Sequence, residues 1–321
     1  MNQENEDKYF LSDDCGTSTE IEKGRYENLC LNNQIVLFHL LFEDQYQICK
    51  YNFMEYWQTI FKVSEAIRLD CTHDRKNMTL PSLEINQRIL NILTSIKSYE
   101  EHIKYKVSKL WGNSSEQIKK YEEIDSSLYD EFFSYRFLKR LRNYVQHRDL
   151  PVKCVRYPIM SVGFEPRQIA FTVTPVMYKK YLLEFDSWSE VKKDIEDQDN
   201  EIDSNLIIEE AFRVFTTLHS KYRNYLSEML KQAHCAIIEL YESGEGRRKD
   251  VLYLVKRRCD NVIEHQWIQY DNIEIIKELI EKCPKVEGIN FSTAQPEKYI
   301  KDISKVMSYI RLANMKKEQQ E

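Results

Sequence analysis

The sequence predicts a mainly α protein with one β-hairpin set into its middle. Three observations lead there. Glycine and proline occur only seven times each in 321 residues, which leaves few natural breaks. Two long stretches, 82–111 and 206–242, repeat apolar residues at the i, i+3, i+4 spacing of an amphipathic helix. Only 152–175 carries paired β-rich runs around a short turn-like segment. The chain is 42% hydrophobic, with 21 tyrosines and 14 phenylalanines, enough for one large core or two ordinary ones.

Taken in order, residues 1–33 are polar and without period and read as weakly ordered. Residues 34–51, "QIVLFHLLFEDQYQICKY", fit either a hairpin turning at Glu43-Asp44 or the start of a helix running through 53–67. The stretch "SLEINQRILNILTSIKSYEEHIKYKVSKLW" places Ile85, Ile89, Ile92, Leu93, Ile96, Tyr99, Ile103 and Val107 on one face, with Ser82 as N-cap after Pro81. "GNSS" at 112–115 ends it. The next helix closes in "SSLYDEFFSYRFLKRLRNYVQH", where Pro151 stops it. "VKCVRYPIMSV" and "RQIAFTVTPV", parted by "GFEP" at 163–166, form the hairpin. An acidic stretch at 184–203 reads as a solvated linker before the helix at 206–242, or as a segment that covers the basic patch and restrains it; shorter helices are expected at 247–264, 271–282 and 297–317. Three segments follow: 1–81, of uncertain fold (a hairpin plus a helix); 82–242, a helical bundle with a β-hairpin near 152–175; and 243–321, a C-terminal helical extension.

Composition excludes several function classes. The longest apolar run, "IVLFHLLF", falls far short of the ~20 residues of a membrane helix. The acidic N-terminus lacks the basic and apolar regions of a signal peptide. Eight cysteines occur without a CxxC pair, so neither a zinc site nor a disulfide framework is written here. A cytoplasmic protein without membrane contact, metal or cofactor is expected. The net charge of −6 argues against bulk coating of nucleic acid. Between 131 and 167, however, eight bases stand against three acids, a net +5. One basic patch on an acidic chain predicts a confined anion site.

That patch centres on "KRLRNYVQHRDLP" at 139–151. An arginine followed by histidine after four to six residues is common here: Arg68/His73, Arg213/His219 and Arg258/His265 share the spacing. Only Arg142 is followed at once by asparagine, Asn143, with His147 four residues on; "YRNYLSEM" at 222–229 repeats Arg-Asn-Tyr without the histidine and reads as core helix. "GRRKD" at 246–250 lacks the spacing of a phosphate-binding P-loop, and His102 fits a structural role. Metal-free RNA cleavage needs a proton carrier near neutral pH and a fixed cation for the charge that builds on phosphorus. Histidine suits the first task and arginine the second. Asn143, His147 and Lys139 share one helix face, whereas Arg142 and His147 lie about 140° apart, so two copies of the helix are needed to aim both at one phosphate.

The pair of segments "EINQRILNILTSIKSYEEH" and "SYRFLKRLRNYVQH" resembles the HEPN superfamily of small helical bundles, many of them ribonucleases. The motif helix, running into Leu150-Pro151 and a hairpin, is similar to an uncharacterised bacterial group carrying this motif. The resemblance implies an HEPN-like bundle, completed by 206–242, with the hairpin as a departure from the minimal fold. It further implies a homodimer that cleaves RNA by 2′-hydroxyl attack, leaving 2′,3′-cyclic phosphates. Arg142 would hold phosphate, His147 transfer protons and Asn143 position both. Lys139, Arg140, Tyr144 and Arg148 would bind RNA. Such toxins or phage-defence effectors also imply an antitoxin or regulatory partner. A non-catalytic module binding nucleotide or RNA, and a helical scaffold, are the alternatives.

Overall fold

Helices dominate the chain. The computed structural model describes residues 6–70, 75–156, 159–162, 168–171, 173–242, 251–259 and 261–282. A hairpin of β1 (Asp7–Asp13) and β2 (Ser18–Ile21) opens it, where the sequence suggested weak order. The turn is built locally: Asp13 Oδ1 accepts the backbone N–H groups of Cys15 and Thr17, both at 2.9 Å, and Gly16 takes a positive φ of 84°.

Helix α1 (Lys23–Asp70) then runs without a turn at Glu43-Asp44, which settles the ambiguity at 34–51 in favour of helix. Helix α2 (Arg75–Trp111) begins seven residues before Ser82, which is therefore no N-cap; Pro81 sits within the helix. As the seventh residue of α2, Pro81 offers no N–H to the helical ladder, yet the helix runs on through it. The apolar face of α2 is as the spacing predicts, with Ile85 through Val107 buried. Gly112, at φ 91°, closes α2. The single helix expected next is two, α3 (Glu116–Glu131) and α4 (Phe133–His147), parted where Phe132 is extended.

The expected hairpin is present in two registers. Strand β3 (Val152–Arg156) pairs with β6 (Thr174–Tyr178), and β4 (Ile159–Val162) pairs with β5 (Gln168–Phe171), all antiparallel. Its 163–166 turn lies outside the described residues. The acidic stretch is no solvated linker. It holds α5 (Lys179–Leu182) at its approach, a 3₁₀ turn at Asp186–Trp188, α6 (Val191–Glu196) and β7 (Glu201–Asp203), the last paired with β6. Trp188, Val191 and Ile195 are fully buried, which is why so acidic a segment stays down. Helix α7 (Ser204–Glu242) matches its spacing. The helix expected at 247–264 is instead two strands, β8 (Val251–Arg258) and β9 (Asn261–Gln269). Helix α8 (Tyr270–Lys282) follows as expected; 297–317 lies outside the described residues.

The chain forms two compact units. Among the described residues, unit 1 holds 6–46, 101–121, 220–242, 251–259 and 261–282, and unit 2 holds 47–70, 75–100, 122–156, 159–162, 168–171 and 173–219. In unit 1 a sheet ordered β2-β1-β8-β9 packs Leu11, Leu252, Leu254 and Ile268 against Leu29, Ile237 and Leu240. Strand β9 is its edge. In unit 2 the core is strongly aromatic: Phe53 stacks on Phe212 at 4.0 Å, and Trp188 lies between Phe137 and Tyr144. No described helix is long and apolar enough to cross a membrane.

Candidate functional site

Helix α4 owes its position in unit 2 to a buried stripe of Phe137, Leu138, Leu141 and Tyr144, recurring every three or four residues. Its far end is fixed by Asn86 of α2. The Asn86 carboxamide donates to the Val152 carbonyl at 2.8 Å and accepts the Val152 N–H at 3.0 Å, so the chain leaving α4 through Pro151 is clamped in both directions. The N–H of Arg148 bonds the Tyr144 carbonyl and ends the helix.

The cations of α4 are then largely claimed by acids. Lys139 sits between Asp125, at 2.8 Å, and Glu100, at 2.7 Å. Tyr135 donates to the same Asp125 oxygen at 2.8 Å. Burial acts to lower the Lys139 pKa, but the two carboxylates outweigh it and hold it above the usual lysine value. Arg136 grips Asp194 with two nitrogens, at 2.7 and 3.1 Å, and also donates to the Tyr129 and Asp130 carbonyls. Arg140 donates to Glu190 at 2.8 Å and to the Tyr129 hydroxyl at 3.3 Å. The Tyr129 hydroxyl and Arg140 together hold Glu190 down at about 2. Arg148 pairs with Glu184 at 2.7 Å in an exposed bridge.

A pocket of about 510 Å³ opens between α2, α3 and α4, with Glu190 at its rim. Arg142 and Asn143 line it together with Lys139 and Arg140. Four bases (Lys97, Lys139, Arg140, Arg142) face four acids (Glu100, Asp125, Asp130, Glu190), so the lining is formally neutral. Half-buried Arg142 makes no ion pair among the described residues. Lys97, Lys139 and Arg140, the other cations of the lining, each have a carboxylate partner. His147 is exposed, one turn beyond Asn143, and lies outside the pocket lining.

The residues expected from the sequence therefore separate. Arg142, Asn143, Lys139 and Arg140 come together; His147 stands at the solvent-facing end of the same helix; Arg148 points to Glu184. Tyr144, expected to meet RNA, is 1% exposed and packs on Trp188 and Phe185 as a core ring. Glu100, Asp125 and Tyr129 were not foreseen, and Glu190 belongs to the acidic stretch that the sequence allows as a cover for the patch. Their signal in the sequence was faint: Glu190 and Asp194 repeat the i, i+4 spacing of Arg136 and Arg140 in reverse order, as two facing segments require. No protein-family model, no curated protein and no solved structure matches the chain.

Proposed function

We propose that the protein is a metal-independent endoribonuclease of HEPN type, acting as a homodimer in the manner of a toxin or defence effector. The observation that carries this reading is Arg142, a motif-helix cation that faces a pocket beside Asn143 without an acidic partner among the described residues. Arg142 would take a non-bridging phosphate oxygen, with the Asn143 carboxamide beside it. Exposed His147 lies outside its own pocket lining, and a separation of about 140° from Arg142 on one helix supports its serving the phosphate held by a second copy. Two such helices bring two histidines to one phosphodiester. One takes the 2′-hydroxyl proton as the 2′-oxygen bonds to phosphorus; the other protonates the departing 5′-oxygen. The products are a 2′,3′-cyclic phosphate and a 5′-hydroxyl end.

The test is cleavage of total RNA in EDTA by wild type and His147→Ala, with end-group mapping. Cyclic phosphate ends that vanish in the variant support the reading; equal cutting by both defeats it. A second reading, a module that holds RNA or nucleotide without cutting, is favoured by the neutral pocket lining and the double pairing of Lys139. Wild-type binding without cleavage, weakened by Arg142→Ala, would establish it instead.

A further inference from the structure

Unit 1 carries a second depression, of about 770 Å³, within the range of small-ligand sites. One wall is the edge of β9, another is α1, and the last two turns of α2 form the third. The walls are tied together: the buried Asn33 carboxamide of α1 donates to the Trp267 carbonyl at 2.9 Å, on the free edge of the strand. The groove is thus preformed, and Trp267 has its place without closing the opening.

Three features define what fits there. The first is aromatic. Trp267 is 55% exposed, an unusual state for the largest apolar side chain, and its ring is extended by His265, with centroids 6.2 Å apart and planes 28° apart. Leu37, 42% exposed, and Phe38 add apolar floor. The second is charge. Lys106 and Lys109 line the groove, no carboxylate does, and neither lysine makes an ion pair among the described residues. Three residues apart, they share one helix face. The carbonyl end of α2 accounts for Lys109, in its last turn, but not for Lys106. The third is hydrogen bonding: the carboxamides of Gln34 and Gln269 line the same space, each able to donate and accept.

We propose that this groove binds a nucleotide. The base stacks on the Trp267 ring, the phosphate lies between Lys106 and Lys109, and the carboxamides of Gln34 and Gln269 meet the edge of the base. Stacking on an aromatic ring supplies affinity for any base, and the paired ammonium groups select the phosphorylated form over the nucleoside. The site is separate from the Arg142 pocket and does not depend on how that pocket is read.

The test is calorimetric titration of the full chain with AMP, ATP, adenosine, ribose 5-phosphate and inorganic phosphate. Tryptophan fluorescence is followed in parallel. AMP and ATP are expected to bind and to quench Trp267, with adenosine and ribose 5-phosphate each at least about tenfold weaker, the scale of one lost charge-assisted or stacking contact. The double variant Lys106→Ala/Lys109→Ala and, separately, Trp267→Leu should each weaken AMP by about tenfold or more. Arg142→Ala should leave it unchanged. Lys109→Glu, an exposed change that spares the core, guards against loss by misfolding and should weaken ATP more than adenosine. No nucleotide binding by the wild type overturns the proposal. So does binding that survives both groove variants, binding lost in Arg142→Ala, or inorganic phosphate bound as tightly as AMP.

Discussion

The two depressions reverse the order in which the sequence ranks them. The basic patch around α4 stands out in the linear chain, yet Arg136, Lys139, Arg140 and Arg148 are all matched by acids in the fold. The groove beside β9 is drawn from three separate stretches of the chain, yet its two lysines have no such partners among the described residues. Net charge along a segment thus says little about the field at a site. What counts is which acids the fold returns to it, and those arrive from up to 58 residues away in the case of Arg136 and Asp194. Pairing turns a cation into a fastener, and only an unpaired one remains to bind.

The largest expected effect separates fasteners from binders directly. If Arg142 and His147 form the reactive pair, His147→Ala should lower RNA cleavage by about 10²- to 10⁴-fold, the usual worth of a positioned proton carrier. Arg142→Ala should cause a comparable fall, while Arg148→Ala should retain most activity. Product yields from a gel-resolved RNA time course check all three. An Arg148→Ala enzyme as damaged as Arg142→Ala would break the distinction, since the Arg148 bridge to Glu184 would then be no reason to set it aside.

Next in size is the removal of a fastener. Lys139→Met leaves Glu100 and Asp125 facing each other without their shared cation. Breaking a largely buried pair from one side costs about 3 kcal/mol, more than a lost neutral hydrogen bond would. Urea denaturation should show that loss, and adding Glu100→Gln and Asp125→Asn should recover much of it. A single variant as stable as wild type would mean that Lys139 is held loosely enough to serve an incoming phosphate.

Much of this frame is legible in the sequence, and what is not has a physical reason. Helices α2, α7 and α8 declare themselves through periodicity, because each buries one face, from Ile85 to Val107 in α2. The hairpin at 152–175 shows through its β-rich runs. Strands β8 and β1 do not, because β8 pairs with a strand some 240 residues earlier, as Leu254 with Leu11, and the chain has no local mark of so distant a partner. "VLYLVKRR" therefore read as helix. The segment at 184–203 was taken for linker since its anchors are only Trp188, Val191 and Ile195, buried against rings such as Phe137 and Tyr144. That same segment supplies Glu184, Glu190 and Asp194: its acidity marks it in the sequence as a candidate cover for the patch, but the individual pairings depend on a fold that the sequence does not show. Arg142 and Asn143 stand out in the sequence because their motif is local; the acids around them come from other segments.

Acids sharpen the comparison at a smaller scale. Glu190, held near 2 by Tyr129 and Arg140, favours the folded chain above its ordinary range, and that contribution is lost as the pH falls toward 2. Asp203, at the start of α7, behaves in the opposite way. Burial raises it to about 6, against the backbone N–H bonds of Asn205 and Leu206, and no cation pairs with it among the described residues. Between pH of about 4 and 6 the folded chain keeps a proton that the unfolded chain has released. Its stabilising effect is full below that window and gone above it. Asp203→Asn keeps an oxygen for the helix start while removing the charge, so its Tm should exceed that of wild type at pH 7 and equal it near pH 4. Melting curves at the two pH values decide; a variant less stable at pH 7 would show that the ionised cap outweighs the cost of its burial.

The smallest effect is the most discriminating about what pairing means at the surface. Arg148 and Glu184 are each about half exposed, at 49% and 50% of their side chains, although their 2.7 Å contact is as short as that of buried Lys139 with Glu100. Distance alone would rank the two bridges equal. Solvent screening and the entropy of two long side chains leave an exposed bridge worth little. Arg148→Ala should therefore shift the urea midpoint barely at all, and the double variant with Glu184→Ala should show a coupling near zero. Arg148 would then be paired in geometry but held only weakly by that pairing, unlike Lys139. A coupling as large as that of Lys139 would place Arg148 among the fasteners and leave Arg142 as the motif helix's only recruit for an anion among the described residues.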